Sequence, residues 1–499
     1  MKDALARLRP DLLTLTAAFA LFWVAARASI QSITIDEADT FLGFVGTPKP
    51  SHWIPASNNH VLNSMLMRLT TSLFGVSSLS MRLPALLGAV VYVAAVYLLI
   101  RLLTRSVALS CALFVCMVFN PLVMDHLVAA RGYSMALAFL TAAVATAACR
   151  QSRGAAPYRT CTLCSLWIAL SFCANFSFAL IDATLLAGIA VWCGAPARTL
   201  RDYTRIAASA VLPGLLVALY FTGAILAHWP SNEFRWGATT FPWFMQSVGS
   251  QPLTQLSPYL VNSPLYDFLL GASPLLLPLL GAALLWRLAV LLRTIPALRK
   301  GNDGWPARLA LLTAGSVLLA VGLHALLVWR FHLLWPLGRT GLYVPVLTAL
   351  AIGALAAIPG ATRMAAASQR ALLAILLVIA SYFILSLRLK WFSEWYWNAN
   401  SDQVYNVAAY YNHVYGVRDI GTNWRYVAVL NFYRRKSGHE TLHEVLLERP
   451  IPPGRDLYVL FPEDDEAFIR TQGLKVVYHD PLSDSVVAIR PGLEQESPK

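Results

Sequence analysis

The sequence predicts a polytopic α-helical membrane protein of about 11 transmembrane helices, followed by a small soluble α/β domain. Three observations carry that reading. Hydrophobic residues make up 57% of the 499, charged residues only 13%, and mean hydropathy is +0.56. A water-soluble chain of ordinary composition carries roughly 25% charged residues. Runs of about 20 apolar residues, long enough to cross a bilayer, recur from residue 11 to residue 388. Beyond residue 389 the composition turns polar and the apolar runs shorten.

The eleven expected spans are 11–30, 83–103, 107–123, 132–149, 161–175, 177–194, 206–226, 271–292, 308–328, 340–358 and 370–388. The fifth and sixth are short and nearly continuous, which reads as a tight hairpin with Asn175 near its turn. Lys2, Arg7 and Arg9 precede the first span, and Ala26-Arg27-Ala28 mimics a signal-peptidase site. Ten further spans and a loop that needs anchoring favour a retained helix.

The net charge of +13 is spread between apolar runs and into the C-terminal tail, without a compact basic domain. That placement argues against nucleic acid and reads as topology. With the N-terminus in the cytoplasm, the short inner connections hold Arg101 and Arg105; Arg150, Arg153 and Arg159; Arg198, Arg201 and Arg205; Arg293, Arg299, Lys300 and Arg308; Arg363 and Arg370. The positive-inside rule then puts loops 31–82 and 227–270, and residues 389–499, on the outer face of a cell (plasma) membrane. Loop 31–82 contains a helix-like stretch at 61–74. Loop 227–270 carries Trp229, Trp236, Trp243 and Phe244, which suit either an interfacial segment or an aromatic belt.

The membrane portion is thus 1–388 and the extracytoplasmic domain 389–499. Residues 391–397, WFSEWYW, read as an interfacial collar, and 402–416 as a helix. Apolar runs at 426–432, 457–461, 474–478 and 485–489 read as the short elements of an α/β domain. The seven cysteines all lie in or beside apolar runs, so neither a disulfide framework nor a zinc site is expected. Cys161 and Cys164 read as helix-packing residues.

Acids are scarce between residues 40 and 389: Asp125, Asp182, Asp202, Glu233, Asp267 and Asp303. Against that background Asp36, Glu37 and Asp39 stand out, three carboxylates just past the first helix. Crowded carboxylates beside low-dielectric lipid repel one another, which raises some pKa values and can prepare a general base. A hydrated loop with ordinary helix-capping residues is the plainer reading. Asn58, Asn59, His60 and Asn63 offer the donors and acceptors that sugar hydroxyls need, or simply cap a short helix. Asp125, His126, Arg131 and Tyr133 join the third and fourth spans. Arg131 suits a bidentate phosphate contact, an interfacial anchor, or a pair with Asp125. Arg339 opens the tenth span at the same face. Asp182 is an intramembrane carboxylate, functional by default or hydrogen-bonded to a neighbouring helix. No nucleotide-binding, serine-hydrolase or zinc-protease motif is present, and no cofactor is expected. His60, Asp125 and His126 are the one set that could hold a divalent cation.

Taken in order, these residues resemble the GT-C superfamily of membrane glycosyltransferases. The similarity is to bacterial proteins like the protein O-mannosyltransferases and the lipid A aminoarabinose transferases. It rests on Asp36-Glu37 after the first span, Asn59-His60, Phe74-Gly75, Arg82-Leu83-Pro84, Ala130-Arg131-Gly132-Tyr133, and the Arg339-Thr340-Gly341-Leu342-Tyr343 element. It covers the first 150 residues well and the remainder thinly. Many relatives carry a His-Pro-Pro-like element where this chain has His60-Val61-Leu62-Asn63. The resemblance implies a polyprenyl-phosphate-linked sugar donor, an active site at the outer face, and a glycan, lipid or protein acceptor. It implies Asp36 as general base, with Glu37 as runner-up or support, and Arg131 or Arg339 on the leaving phosphate. A transporter of lipid-linked sugars and a non-catalytic membrane scaffold are the alternatives. A transporter calls for paired repeats and polar groups at mid-membrane.

Overall fold

The computed structural model describes residues 11–46, 56, 58–195, 197–228, 236–257, 260, 263–298, 304–360, 362–439 and 441–495. Lys2, Arg7, Arg9, Trp229, Glu233, Arg299, Lys300 and Asp303 lie outside them. Every expected span has a helical counterpart: α1 (Leu12–Ile30), α4 (Ser78–Leu103), α5 (Val107–Val118), α7 (Tyr133–Ser152), α8 (Pro157–Ala174), α9 (Ala179–Gly194), α10 (Leu200–Leu226), α12 (Leu276–Leu298), α13 (Trp305–Phe331), α14 (Tyr343–Ala357) and α15 (Arg363–Leu385). Between them lie α2 (Ile35–Thr40), α3 (Val61–Phe74), α6 (Pro121–His126) and α11 (Phe241–Met245). Among the described residues, nine helices are long and apolar enough to cross a membrane, against the eleven expected.

The helices for the third and fifth expected spans are not among the nine. Asn120-Pro121 explains the third. The Asn120 side chain accepts from Leu122 N (3.0 Å) and starts α6, so the run predicted over 107–123 breaks at Val118. Twelve residues rise only about 18 Å. The hairpin reading holds: α8 ends at Ala174, and the Asn175 side chain accepts from Ser177 N (3.0 Å) to start the next helical turn.

The loop after α1 is folded onto the helix ends. Helix α3 occupies the stretch predicted at 61–74. It is tied to α4 by a consequence of Pro84, which has no N–H to donate to the carbonyl of Ser80. Thr70 of α3 donates its hydroxyl there instead (2.7 Å). Arg82 and Arg101 stand at opposite ends of α4, and Arg131 and Arg150 at opposite ends of α7.

The C-terminal region forms a four-stranded sheet in the order β1-β2-β4-β3, from β1 (Ile420–Thr422), β2 (Leu457–Leu460), β3 (Lys475–His479) and β4 (Val486–Ile489). Only the β1–β2 pair is parallel. Helices α16 (Ser401–Tyr415), α17 (Trp424–Ser437) and α18 (Pro462–Thr471) accompany the sheet. Of the four apolar runs, 426–432 is the one that is helical. Asn423 caps α17, and Arg434, Arg435 and Lys436 followed by Gly438 (φ +67°) stop it. Those capping residues outweigh the strand-like run they enclose. The expected collar at 391–397 is also different: Trp391, Phe392 and Trp395 are buried in protein.

This region grips the first loop. Tyr433 OH accepts from Ile33 N (3.2 Å), Asn398 accepts from Ile35 N (2.8 Å), and Phe41 meets Phe432 edge-on (5.5 Å).

Glu37 and Arg82 form the joint beneath α2. Glu37 caps the helix with Thr34, its Oε2 accepting from Thr34 N (3.0 Å). The same carboxylate takes Arg82 bidentately (2.8 and 2.7 Å) and the Ala130 N–H (2.9 Å). The remaining Arg82 donors go to the carbonyls of Ala28, Gln31 and Ser32 at the end of α1. Both side chains are fully buried. Removing one partner of such a pair leaves an uncompensated charge and costs about 3–5 kcal/mol. Glu37→Ala is therefore expected to lower the thermal unfolding midpoint of the detergent-solubilised protein sharply. An unchanged midpoint would contradict this structural role.

Candidate active site

Helix α2 presents Asp36 about 100° around its axis from Glu37 and this joint. Its Oδ2 lies 2.6 Å from Arg339 Nη1 and 3.9 Å from Arg131 Nε. Arg131 also donates to the Asp36 carbonyl (3.2 Å), to the Thr40 hydroxyl and to the Asn58 side chain. Arg339 donates as well to Glu394 (2.9 Å), and its guanidinium stacks over Trp236 and Trp395. His126 faces the other Glu394 oxygen (3.2 Å), and its Nδ1 meets the Leu122 carbonyl (2.7 Å). The His126 ring packs on Tyr133 and Trp395. Asp36, Arg339 and Glu394 keep 16%, 14% and 23% of their side-chain surface accessible, while Arg131 keeps 1%. The cleft is thus narrow but open.

The backbone explains why Arg131 arrives there. Gly132 sits at φ +74°, and a Cβ on it would come within 2.3 Å of the Ala174 carbonyl oxygen and 3.0 Å of His60 Cβ. Only glycine turns the chain this tightly into α7.

Electrostatics divide the three acids. Burial opposes ionisation of Asp36, but Arg339, then Arg131 and a Trp395 hydrogen bond, outweigh it and hold the carboxyl below its usual range. Glu37 behaves alike, with Arg82 overcoming burial. Its oxygens are all engaged, so it does not reach the cleft as a second base; it supports α2. Asp39, one turn on, reaches solvent. Partial desolvation and then the charge of Asp36 push its carboxyl up to about 6. Burial, then Arg131 and Arg339, hold His60 well below its ordinary value, so its ring is neutral.

Other expected residues are placed differently. Asp125 does not pair with Arg131; it takes Arg27 of α1 (2.5 Å) and the N–H groups of Ser393 and Glu394 (2.6 and 3.2 Å). Asp125 therefore aims Glu394 into the cleft from below. It is also drawn away from His60 and His126, and that trio is not assembled as a ligand set. Among the described residues no cluster of three potential metal ligands occurs. Asn59 accepts from Ser64 (3.1 Å) and Asn63 donates to the Ala130 carbonyl (3.1 Å), so both brace the loop. His60 lies against Tyr133, with neither ring nitrogen hydrogen-bonded. Asp182 is buried in the span Phe176–Gly194, and its carboxyl oxygens have no hydrogen-bond partner. The neighbouring Ser171 hydroxyl donates to Ala136 instead (3.1 Å).

Sequence reasoning missed Arg27 and Glu394. Glu394 left a signal, as the only acid between Asp303 and Asp402. Arg27 was masked by its resemblance to a cleavage site.

Beside the cleft, between α5, α14 and α15, lies a largely apolar cavity of about 410 Å³, lined by residues such as Cys116, Val248, Val344, Leu376 and Phe383. The turn Gly338–Gly341 carrying Arg339 rests on this wall. Gly338 N donates to Ser247 Oγ (2.9 Å), and a Cβ on Gly341 would meet Val248 at 2.8 Å.

No family model and no curated protein matches the chain. Among solved structures it is similar to two crystal structures of ArnT from Cupriavidus metallidurans, one bound to undecaprenyl phosphate and one in the apo state. The first aligns over 96% of this chain and 97% of that chain, at 12% identity and a TM-score of 0.41. The second aligns over 95% and 97%, at 12% identity and a TM-score of 0.40.

The carboxyl environments predict a labelling pattern. A carbodiimide attacks the protonated carboxyl. Asp39 is expected to label strongly below about pH 6 and lose reactivity above it, while Asp36 stays unlabelled across pH 5–8. Mass spectrometry of the labelled peptide resolves the two, and equal labelling would contradict the assignment.

Proposed function

We propose that the protein is a membrane glycosyltransferase that moves a sugar from a polyprenyl-phosphate donor to an acceptor hydroxyl. The observation that carries this reading is one carboxylate, Asp36, held by two arginines, one of which, Arg339, stands on a turn packed against the wall of an apolar cavity. The order of motifs shared with GT-C enzymes supports it. The plasma membrane is the expected location, with the cleft outward, and the placement of basic residues between spans supports that orientation.

The cavity accepts the prenyl chain, and its phosphate reaches Arg339 and Arg131. Arg339 is committed to Asp36 and Glu394 in the free protein. A phosphate that takes over Arg339 loosens its hold on Asp36 and makes that carboxylate a better base. Asp36 then removes the proton from the acceptor hydroxyl as its oxygen attacks the anomeric carbon. The bond to the phosphate oxygen breaks, and the arginines stabilise the growing negative charge. A single in-line displacement inverts the anomeric configuration. Asp39, exposed beside Asp36, is placed to bind acceptor hydroxyls. The charged groups gather at one end of the helices, which favours an enzyme over a transporter with mid-membrane sites.

The test supplies purified protein with polyprenyl-phosphate sugars and a panel of acceptors. General-base catalysis contributes about 10²–10⁴. Asp36→Asn is expected to cut transfer at least about a hundredfold without lowering the unfolding midpoint. Transfer by Asp36→Asn at the parent rate would overturn the assignment.

A further inference from the structure

A second concave site lies away from the cleft, where the first loop meets α3 and the end of α17. It is a groove of about 660 Å³ whose lining includes Phe41, Gly46, Arg68, Ser72, Arg435 and Lys436. Among the described residues its lining holds three cations and no carboxylate.

Two of the cations are held in place. Arg435 donates to the Gly46 carbonyl (2.9 Å), and its guanidinium lies 5.6 Å from the centre of the Phe41 ring. Lys436 sits 5.8 Å from the centre of the Tyr433 ring. Cations fixed over aromatic faces lose little further freedom when they meet an anion.

The flank of the groove says what kind of anion. On α3, Met65, Leu69 and Leu73 follow at four-residue spacing and form one stripe, with Leu69 52% and Leu73 65% exposed. Phe74 and Leu79 extend the exposed apolar surface. Arg68 and Ser72 occupy the adjoining stripe of the same helix. A basic groove thus borders an apolar strip within one helix width. A free anion has no use for the strip, and a neutral lipid has none for the cations.

We propose that this groove seats the phosphate headgroup of an anionic lipid, with its acyl chains against Met65, Leu69 and Leu73. The site does not rest on the transferase reading. Phe41 of the groove follows Thr40, which Arg131 contacts in the cleft, so groove and cleft are joined by adjacent residues of backbone.

The experiment measures retention of phosphatidylglycerol and of phosphatidylcholine by the full-length, detergent-solubilised protein, using native mass spectrometry. Phosphatidylglycerol is expected to bind about tenfold more tightly, at roughly a tenfold gain or less per basic residue near a lipid surface. The double variant Arg435→Gln/Lys436→Gln is expected to erase that preference. Leu69→Ser/Leu73→Ser, which keeps every cation, is expected to weaken phosphatidylglycerol as well. Inorganic phosphate is expected to compete poorly. Equal retention of phosphatidylglycerol by parent and Arg435→Gln/Lys436→Gln would overturn the site. Displacement of the lipid by inorganic phosphate alone, with Leu69→Ser/Leu73→Ser unchanged, would overturn the lipid as its occupant.

Discussion

The buried pair of Glu37 and Arg82 is the constraint on which the rest of this structure depends. It joins four pieces of chain: the end of α1, the start of α2, the start of α4 and the loop before α7. Two charges leave water at considerable cost, and only complete hydrogen bonding offsets it. Here the carboxylate accepts four hydrogen bonds and the guanidinium makes five, so neither ion is left with an unmet demand. The result is a short helix locked in one rotation. Asp36 precedes Glu37 by one residue, so fixing Glu37 inward turns Asp36 toward Arg131 and Arg339.

A second buried pair does similar work from the other side. Arg27 holds Asp125, and Asp125 holds the backbone of Ser393 and Glu394. That places Glu394 between Arg339 and His126. The cleft is thus a chain of contacts, Asp36 to Arg339 to Glu394 to His126, built by segments more than 350 residues apart in sequence. In the proposed reaction an incoming phosphate redistributes these contacts, because Arg339 has two carboxylates to give up. Within the proposed reaction, donor binding and activation of the base are then one event.

Much of this was legible in the sequence, and the failures have physical causes. Composition placed all eleven helices because lipid demands continuous apolar runs, although among the described residues nine reach spanning length and apolarity. The shortfall at α5 came from Asn120-Pro121, a helix start that a hydropathy reading passes over. Asp36, Arg131 and Arg339 were singled out separately and the fold brings them together. Their partners were harder. Glu37 and Asp125 carry the same side-chain chemistry as Asp36, and nothing local says that one carboxylate faces the cleft while two are joints. That distinction belongs to contacts at long range, Glu37 with Arg82 and Asp125 with Arg27. The run 426–432 was left open between helix and strand for a more local reason: its caps at Asn423 and Gly438 decide for helix, and the apolar pattern alone does not.

In the proposed function the two arginines beside Asp36 receive a lipid phosphate. A cryo-electron microscopy structure with a polyprenyl monophosphate tests it most directly. Phosphate density is expected within hydrogen-bonding distance of Arg339 or Arg131, with the prenyl chain in the cavity lined by Val344 and Phe383 and Asp36 separated from Arg339. Phosphate bound elsewhere, with the Asp36–Arg339 contact intact and the cavity empty, would contradict it.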